Sequence, residues 1–446
     1  MSISIVQKSD LARPRRNPKI ALVLAGGAIS GGSFKLGGVI ALNRFLKNRK
    51  ITDFDIYVGL SAGAFLSAFI AGGLSPEELL KGLDGTSKRV RHFKFYDFYW
   101  PDVGEFGRRG ARLLRDAITV WPSIAAGVVR HLSGSREAFR RRMMDFLAAP
   151  GYTALEQVIG PLVADALRET PIPHVGRYIP AGIFDNSRIE QYVRVNLVEN
   201  GIPNDFRMLQ RERGISLYIT ATNLNTARGV VFGHDADHTV SISEAVQAST
   251  AIPGFYTPPK IRGEEYLDAS VRKTANASLA MHKGADLIIA YNPFRPFMNR
   301  NRYQLNPTAA SLSDFGMGTV LNQAVRSLAQ SRLYLGIEKL RLDPSFRGDL
   351  ILIEPTETDA EFFSLNPLAV WNRGVAARHG YNSVRRALEQ NCAEVQRILA
   401  AYGLECDPGA LAADVDVTPK AAVPDTGARK ADEVEARERP RLTLVK

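Results

Sequence analysis

The first eighteen residues are polar and rich in Arg and Pro, and the chain then turns abruptly apolar at Ile20-Ala-Leu-Val-Leu-Ala25, which ends on Gly26-Gly27. An unbroken apolar run of that length, closed by glycines, predicts a strand buried on both faces. From about Ser33 to Asn48 the spacing changes to that of a helix, with Phe34, Leu36, Val39, Ile40, Leu42 and Leu46 forming the apolar stripe. A second strand over Phe54–Gly59 leads into Ser61 and a further apolar helix through about Ala71. Strand, glycine turn, helix, strand, turn, helix is how a parallel α/β sheet begins.

Further along, the pattern predicts a strand at Ser216–Asn223 with a hairpin partner near Gly229–Phe232, and a short helix over Ser243–Ala251 closed by Ile252-Pro253-Gly254. Tyr266-Leu267-Asp268 ends a short extended run, Leu287–Tyr291 reads as a buried strand, and Leu350–Glu354 as one more, stopped by Pro355. The main body is expected over 19–405, mostly helical from 295 to 405. Residues 1–18 read as a disordered basic arm, and 406–446, poor in large apolar residues, as a disordered tail. Residues 86–146 stand apart as a helical insertion or lid, mixing cations with aromatics in KRVRHFKFYDFYW and REAFRRRMM.

Composition changes this picture little. At 45 % hydrophobic and 23 % charged, the 446 residues are those of an ordinary globular protein. Cys392 and Cys406 are too few for a disulfide framework or a cysteine-built metal site and suit a reducing compartment. No secretory or membrane-spanning signal is visible, since the weakly polar run Leu60–Leu74 is too short and is broken by Gly and Ser. The expected place is therefore cytoplasmic, with any membrane met from the side. A formal charge of +11 admits nucleic acid, acidic lipid or neither.

Three segments carry chemistry. Gly59-Leu60-Ser61-Ala62-Gly63 fits G-x-S-x-G between a strand and a helix. There a sharp turn lifts the serine hydroxyl clear of the backbone, and the helix N-terminus offers N–H donors to developing negative charge. Gly26-Gly27-Ala28-Ile29-Ser30-Gly31-Gly32 also joins a strand to a helix, and its glycines free backbone N–H groups to face an oxyanion. It is not a P-loop, because no lysine follows Gly31 or Gly32, and it lacks the G-x-G-x-x-G spacing of a dinucleotide site. The third element is a base for Ser61. His282 and His379 are candidates if a histidine serves; Asp268, at a strand end before small residues, is the candidate if a carboxylate acts directly.

Together the glycine loop, the G-x-S-x-G elbow and the distal Asp268-Ala269-Ser270 box resemble the patatin-like phospholipases. Ile219–Asn225 with Gly229–Phe232, Ala248–Gly254, Gly284–Ala290 and Arg378–Tyr381 extend the resemblance over about residues 18 to 390. It implies a three-layer α/β/α fold with a mainly parallel central sheet and a Ser-Asp dyad without histidine. Ser61 would be the nucleophile and Asp268 its base, with oxyanion donors among Gly26, Gly27, Ala28, Gly31 and Gly32, and Gly59 and Gly63 shaping the elbow. No cofactor or metal is implied. Two departures stand out. The family loop G-G-G-x-[RK]-G is here G-G-A-I-S-G-G, with Ser30 or Gly31 in the cation's place, and the box has Ala269 where the family has glycine.

The implied activity is a lipid acyl hydrolase of phospholipase A or lysophospholipase type. The basic-aromatic stretch Lys88–Trp100 suits anionic headgroups at a membrane surface, making phospholipid the expected substrate, although the same aromatics could pack inward. No nucleic-acid module is visible. The rivals are an esterase on neutral lipid or storage polyester and a catalytically weak lipid-binding surface protein. Oligomeric state is not legible.

Overall fold

The computed structural model describes residues 3–13, 15–116, 118, 136–148, 175–299 and 311–412. The expectations for 119–135, 149–174, 300–310 and 413–446 lie outside the described residues.

The frame is one nine-stranded sheet in the order β1 (Ile3–Gln7), β12 (Asp349–Ile353), β11 (Leu287–Tyr291), β2 (Ile20–Leu24), β3 (Ile56–Leu60), β6 (Ser216–Asn223), β10 (Glu264–Leu267) and β9 (Lys260–Ile261), with β7 (Gly229–Gly233) also paired to β6. The five strands from β12 to β6 run parallel, and β1, β7, β9 and β10 join antiparallel at the margins. A three-stranded side sheet joins β4 (Trp100–Pro101), β5 (Gly182–Asp185) and β8 (Gly254–Tyr256).

Alternation along β2 sorts its side chains between two layers. Ile20, Leu22 and Leu24 enter one apolar cluster with helices α1 (Ala28–Phe45) and α2 (Ala62–Ala71), while Ala21 and Val23 enter a second cluster with Leu333, Ile337 and Leu340. Helices thus cover both faces, and the three-layer α/β/α expectation holds.

Three boundaries need correction. Ile3–Gln7 is not part of a disordered arm: its apolar Ile3 and Val6 are buried and it pairs along β12, covering an edge that would otherwise leave open N–H and C=O groups. The tail does not begin at 406. The Asp407 N–H donates to the Phe45 carbonyl at 2.8 Å and Leu411 is buried, so the packed chain reaches 412. Helix α1 starts at Ala28, five residues before the expected Ser33, because the carbonyl of distant Pro367 accepts the otherwise orphaned N–H groups of Ile29 (3.0 Å) and Ser30 (3.1 Å).

The Lys88–Trp100 stretch divides. Phe93 and Phe98 are buried, whereas Phe95 and Tyr96 are exposed and Trp100 is covered on one face by the Arg188 guanidinium, 4.1 Å from its ring centroid.

Candidate active site

Ser61 sits between β3 and α2 at φ 53°, ψ −126°, a conformation that costs a side-chain-bearing residue about 1–3 kcal/mol. Its neighbours hold it there. The Ser61 N–H donates to Ser249 Oγ at 2.8 Å. A Cβ on Gly63 would come within 2.1 Å of the Leu24 carbonyl oxygen, so only glycine lets α2 pass that close to the end of β2.

Asp268 follows β10 and is nearly fully buried. Its own N–H donates to the Ala251 carbonyl at 2.8 Å, and one carboxylate oxygen accepts from the Ser270 N–H at 2.7 Å. The Ser61 side chain is near enough to this carboxylate to favour its charged form. Burial raises the Asp268 pKa above the ordinary carboxylate range, opposed by the nearby Ser61 and Ser270 side chains, the Ser270 N–H and the positive charge of Lys35. Ala269 is not at positive φ, so the missing glycine of the box costs nothing in backbone strain.

The glycine loop is more selective than its sequence implied. Gly31 and Gly32 lie inside α1, and the Gly31 N–H donates to the Gly27 carbonyl at 2.9 Å, so neither presents an oxyanion donor. That expectation is corrected: an earlier helix start commits their N–H groups to the helix ladder. Among the described residues, no acceptor meets the N–H groups of Gly26, Gly27 and Ala28. Gly27 has φ 156°, and its Cβ would fall 2.8 Å from Pro293; Ala28 takes φ 51° despite its methyl group. Ala62, the residue after the nucleophile, opens α2 and supplies a further N–H on this side.

Sequence reasoning missed Lys35. Seven residues into α1 and fully buried, its ammonium donates back to the carbonyls of Ala25 and Gly26, the latter at 2.9 Å. It clamps the loop from behind and brings the cation that Ser30 and Gly31 lack. Burial lowers its pKa to about 7, with nearby Asp268 opposing that shift. The signal was a lysine on the apolar stripe of a helix, one residue after Phe34.

The structure does not bring the alternative histidines into this arrangement. The His379 Nε2 is bonded to Asp359 at 2.7 and 2.8 Å and its Nδ1 faces Glu361 at 3.2 Å, while His282 ends a short helix on the other sheet face.

Ser61 and Ala62 form part of the wall of a partly open, mainly apolar cavity of about 90 Å³. Phe65, Phe69, Leu79, Phe93 and Tyr256 line it, and Arg373 is the one charged side chain among the described lining residues. Two Arg373 nitrogens are already engaged, by the Leu83 and Val370 carbonyls at 3.0 and 3.3 Å. Among the described residues no cluster of His, Cys, Asp and Glu is arranged to hold a metal, and no helix is long and apolar enough to cross a membrane.

A serine on a strand–helix elbow, near a buried carboxylate and free loop amides, is the layout of a serine acyl hydrolase on a three-layer α/β/α frame. The chain belongs to the patatin-like phospholipase family, whose model matches residues 22–281, a lipid acyl hydrolase family. Solved structures it resembles include VipD from Legionella pneumophila, at 16% identity and TM-score 0.36, over 87% of this chain and 70% of that one. Another is human GIVD cytosolic phospholipase A2, at 10% identity and TM-score 0.31; the match covers 86% of this chain but only 60% of the human one. ExoU of Pseudomonas aeruginosa, solved with SpcU, gives 15% identity and TM-score 0.27 over 100% of this chain and 77% of that one.

Proposed function

We propose that this protein hydrolyses the carboxylic esters of phospholipids, in the manner of a phospholipase A or lysophospholipase, through a Ser61–Asp268 dyad. The observation that carries this reading is Ser61, on its strained strand–helix turn at the wall of an apolar cavity, beside the buried carboxylate of Asp268. The cavity receives the acyl chain and sets its carbonyl beside Ser61, and burial of that chain supplies binding energy of about 0.8 kcal/mol per CH₂.

Ser61 Oγ attacks the carbonyl carbon as its proton passes to Asp268. A carboxylate with a raised pKa is the better acceptor for such a proton. The oxyanion is held by the amides of Gly27, Ala28 and Ala62. Collapse expels the alcohol, which takes the proton from Asp268 and leaves an acyl-serine. Water then attacks this ester, gives its proton to Asp268, and collapse frees the fatty acid and restores the Ser61 hydroxyl. Contact with the lipid surface is peripheral, through exposed Phe95 and Tyr96.

A fluorophosphonate probe should label the wild type and leave Ser61→Ala unlabelled. Fatty-acid release from phospholipid should vanish in Asp268→Asn. Equal labelling of wild type and Ser61→Ala would remove the reading. One observation favours a neutral-lipid substrate instead: the cavity's only described cation is tied to two carbonyls, leaving little to grip a phosphate. Comparing phospholipid with triacylglycerol release decides between them.

A further inference from the structure

The 26-residue helix Met317–Leu342 presents two opposite faces. Arg326, Ala329, Leu333, Ile337 and Leu340 are buried on the sheet side. On the far side Leu321, Leu328, Leu335 and Leu342 recur every seven residues, each more than half exposed (56, 65, 74 and 78%). Met317, Val320 and Val325 extend the stripe and are also exposed. A seven-residue repeat drifts only about 20° per step on an α-helix, so the four leucines form one seam roughly opposite the packed face. We infer that this leucine seam docks against the same helix of a second copy of the chain, forming a two-fold dimer.

Three observations point to a helix of the same kind as the occupant. Over its C-terminal half the seam is narrow: Ser331 and Glu338 border it on one side and Arg332 and Lys339 on the other. That width fits between helices, whereas an interfacial helix needs a broad apolar face to enter lipid. The area also suffices. Seven exposed apolar side chains at roughly 100 Å² each remove about 700 Å² per copy, against about 800 Å² per partner in a stable interface. Finally, a stripe of like residues is self-complementary, as a two-fold contact requires. In a parallel, in-register pair Arg332 and Lys339 would each face their own counterpart. An antiparallel pair about a two-fold at Leu328 avoids this and sets Leu321 of one copy against Leu335 of the other.

The contact would also bear on the site, because Arg332 donates to the carbonyls of Ser270 and Val271, and Thr274 Oγ1 donates to the Ala329 carbonyl at 2.7 Å. The helix thus rests on the turn that carries Asp268.

Sedimentation of the full chain at about 10–100 µM should give twice the 49.0 kDa chain mass. Leu328→Glu combined with Leu335→Glu should give a single chain mass with unchanged circular dichroism, since within one chain both side chains are exposed. The milder pair Leu328→Ala with Leu335→Ala should weaken association at least tenfold and serves if the first variant misfolds. Under a mild oxidant, Leu328→Cys should cross-link to itself and Leu342→Cys should not. A monomeric wild type, or a dimer untouched by both double variants, would overturn the inference. So would a helix face that binds phosphatidylcholine vesicles without self-association. Efficient self-cross-linking at both positions would overturn the antiparallel arrangement.

Discussion

Asp268 and Lys35 are two buried ionisable groups whose pKa values move toward each other, Asp268 upward and Lys35 down to about 7, chiefly through loss of solvent. Each charge costs the fold stability and serves the site. For Asp268 the folded pKa lies above the unfolded 3.8, so the folded chain holds its proton more tightly and stability falls as pH rises through that window. Asp268→Asn removes the cost. Calorimetry at pH 7 should find the variant melting at or above wild type while ester turnover is lost; a clearly lower melting temperature would contradict this. For Lys35 the unfolded chain keeps its proton up to about 10.5 and the folded chain only to about 7. Stability therefore rises with pH across that interval, by up to about 1.4 kcal/mol per unit. Lys35→Met should flatten this rise. It should also move the acid limb of the activity profile to higher pH, because Asp268 loses the cation that favours its charged form. An acid limb that stays put would mean Lys35 has only a packing role.

At the scale of elements, the elbow and the glycine loop are two strand–helix junctions pressed against each other. The close approach of Gly63 to the end of β2 couples them. Gly63→Ala must separate α2 from Leu24, and we expect a loss above about 3 kcal/mol in denaturant titration, far more than a glycine-to-alanine change in an open helix. The junctions also mark how much could be read locally. The strands at 20–24, 216–223 and 287–291 and the elbow were legible, because a buried parallel strand must be apolar throughout and a nucleophile elbow needs small residues at fixed spacing. The start of α1 was not. It depends on the Pro367 carbonyl, more than three hundred residues away, and that contact decides which loop amides remain free.

For the whole molecule the deciding feature is the cavity, walled by residues from Ala28 to Arg373. Leu79 lines it from the helix Pro76–Asp84, well away in sequence from both junctions. A bulkier side chain there should shorten the space for an acyl chain while leaving Ser61 and Asp268 undisturbed. For Leu79→Trp, a chain-length series of esters should show activity kept on short acyl groups and reduced at least tenfold on the longest, with an overpacking cost of about 1–3 kcal/mol. An unchanged chain-length profile would place the acyl group elsewhere.

The sequence alone determined the α/β class and the strand–helix elbow that carries Ser61, because these rest on local rules of period, turn geometry and small residues at close approach; Asp268 was singled out from His282 and His379 only by the family resemblance. Tertiary structure decided which amides stay free, which cation supports the loop, and that His379 is engaged by Asp359 and Glu361. Those outcomes follow from burial and from hydrogen bonds between distant segments, and neither is written in the spacing of neighbouring residues.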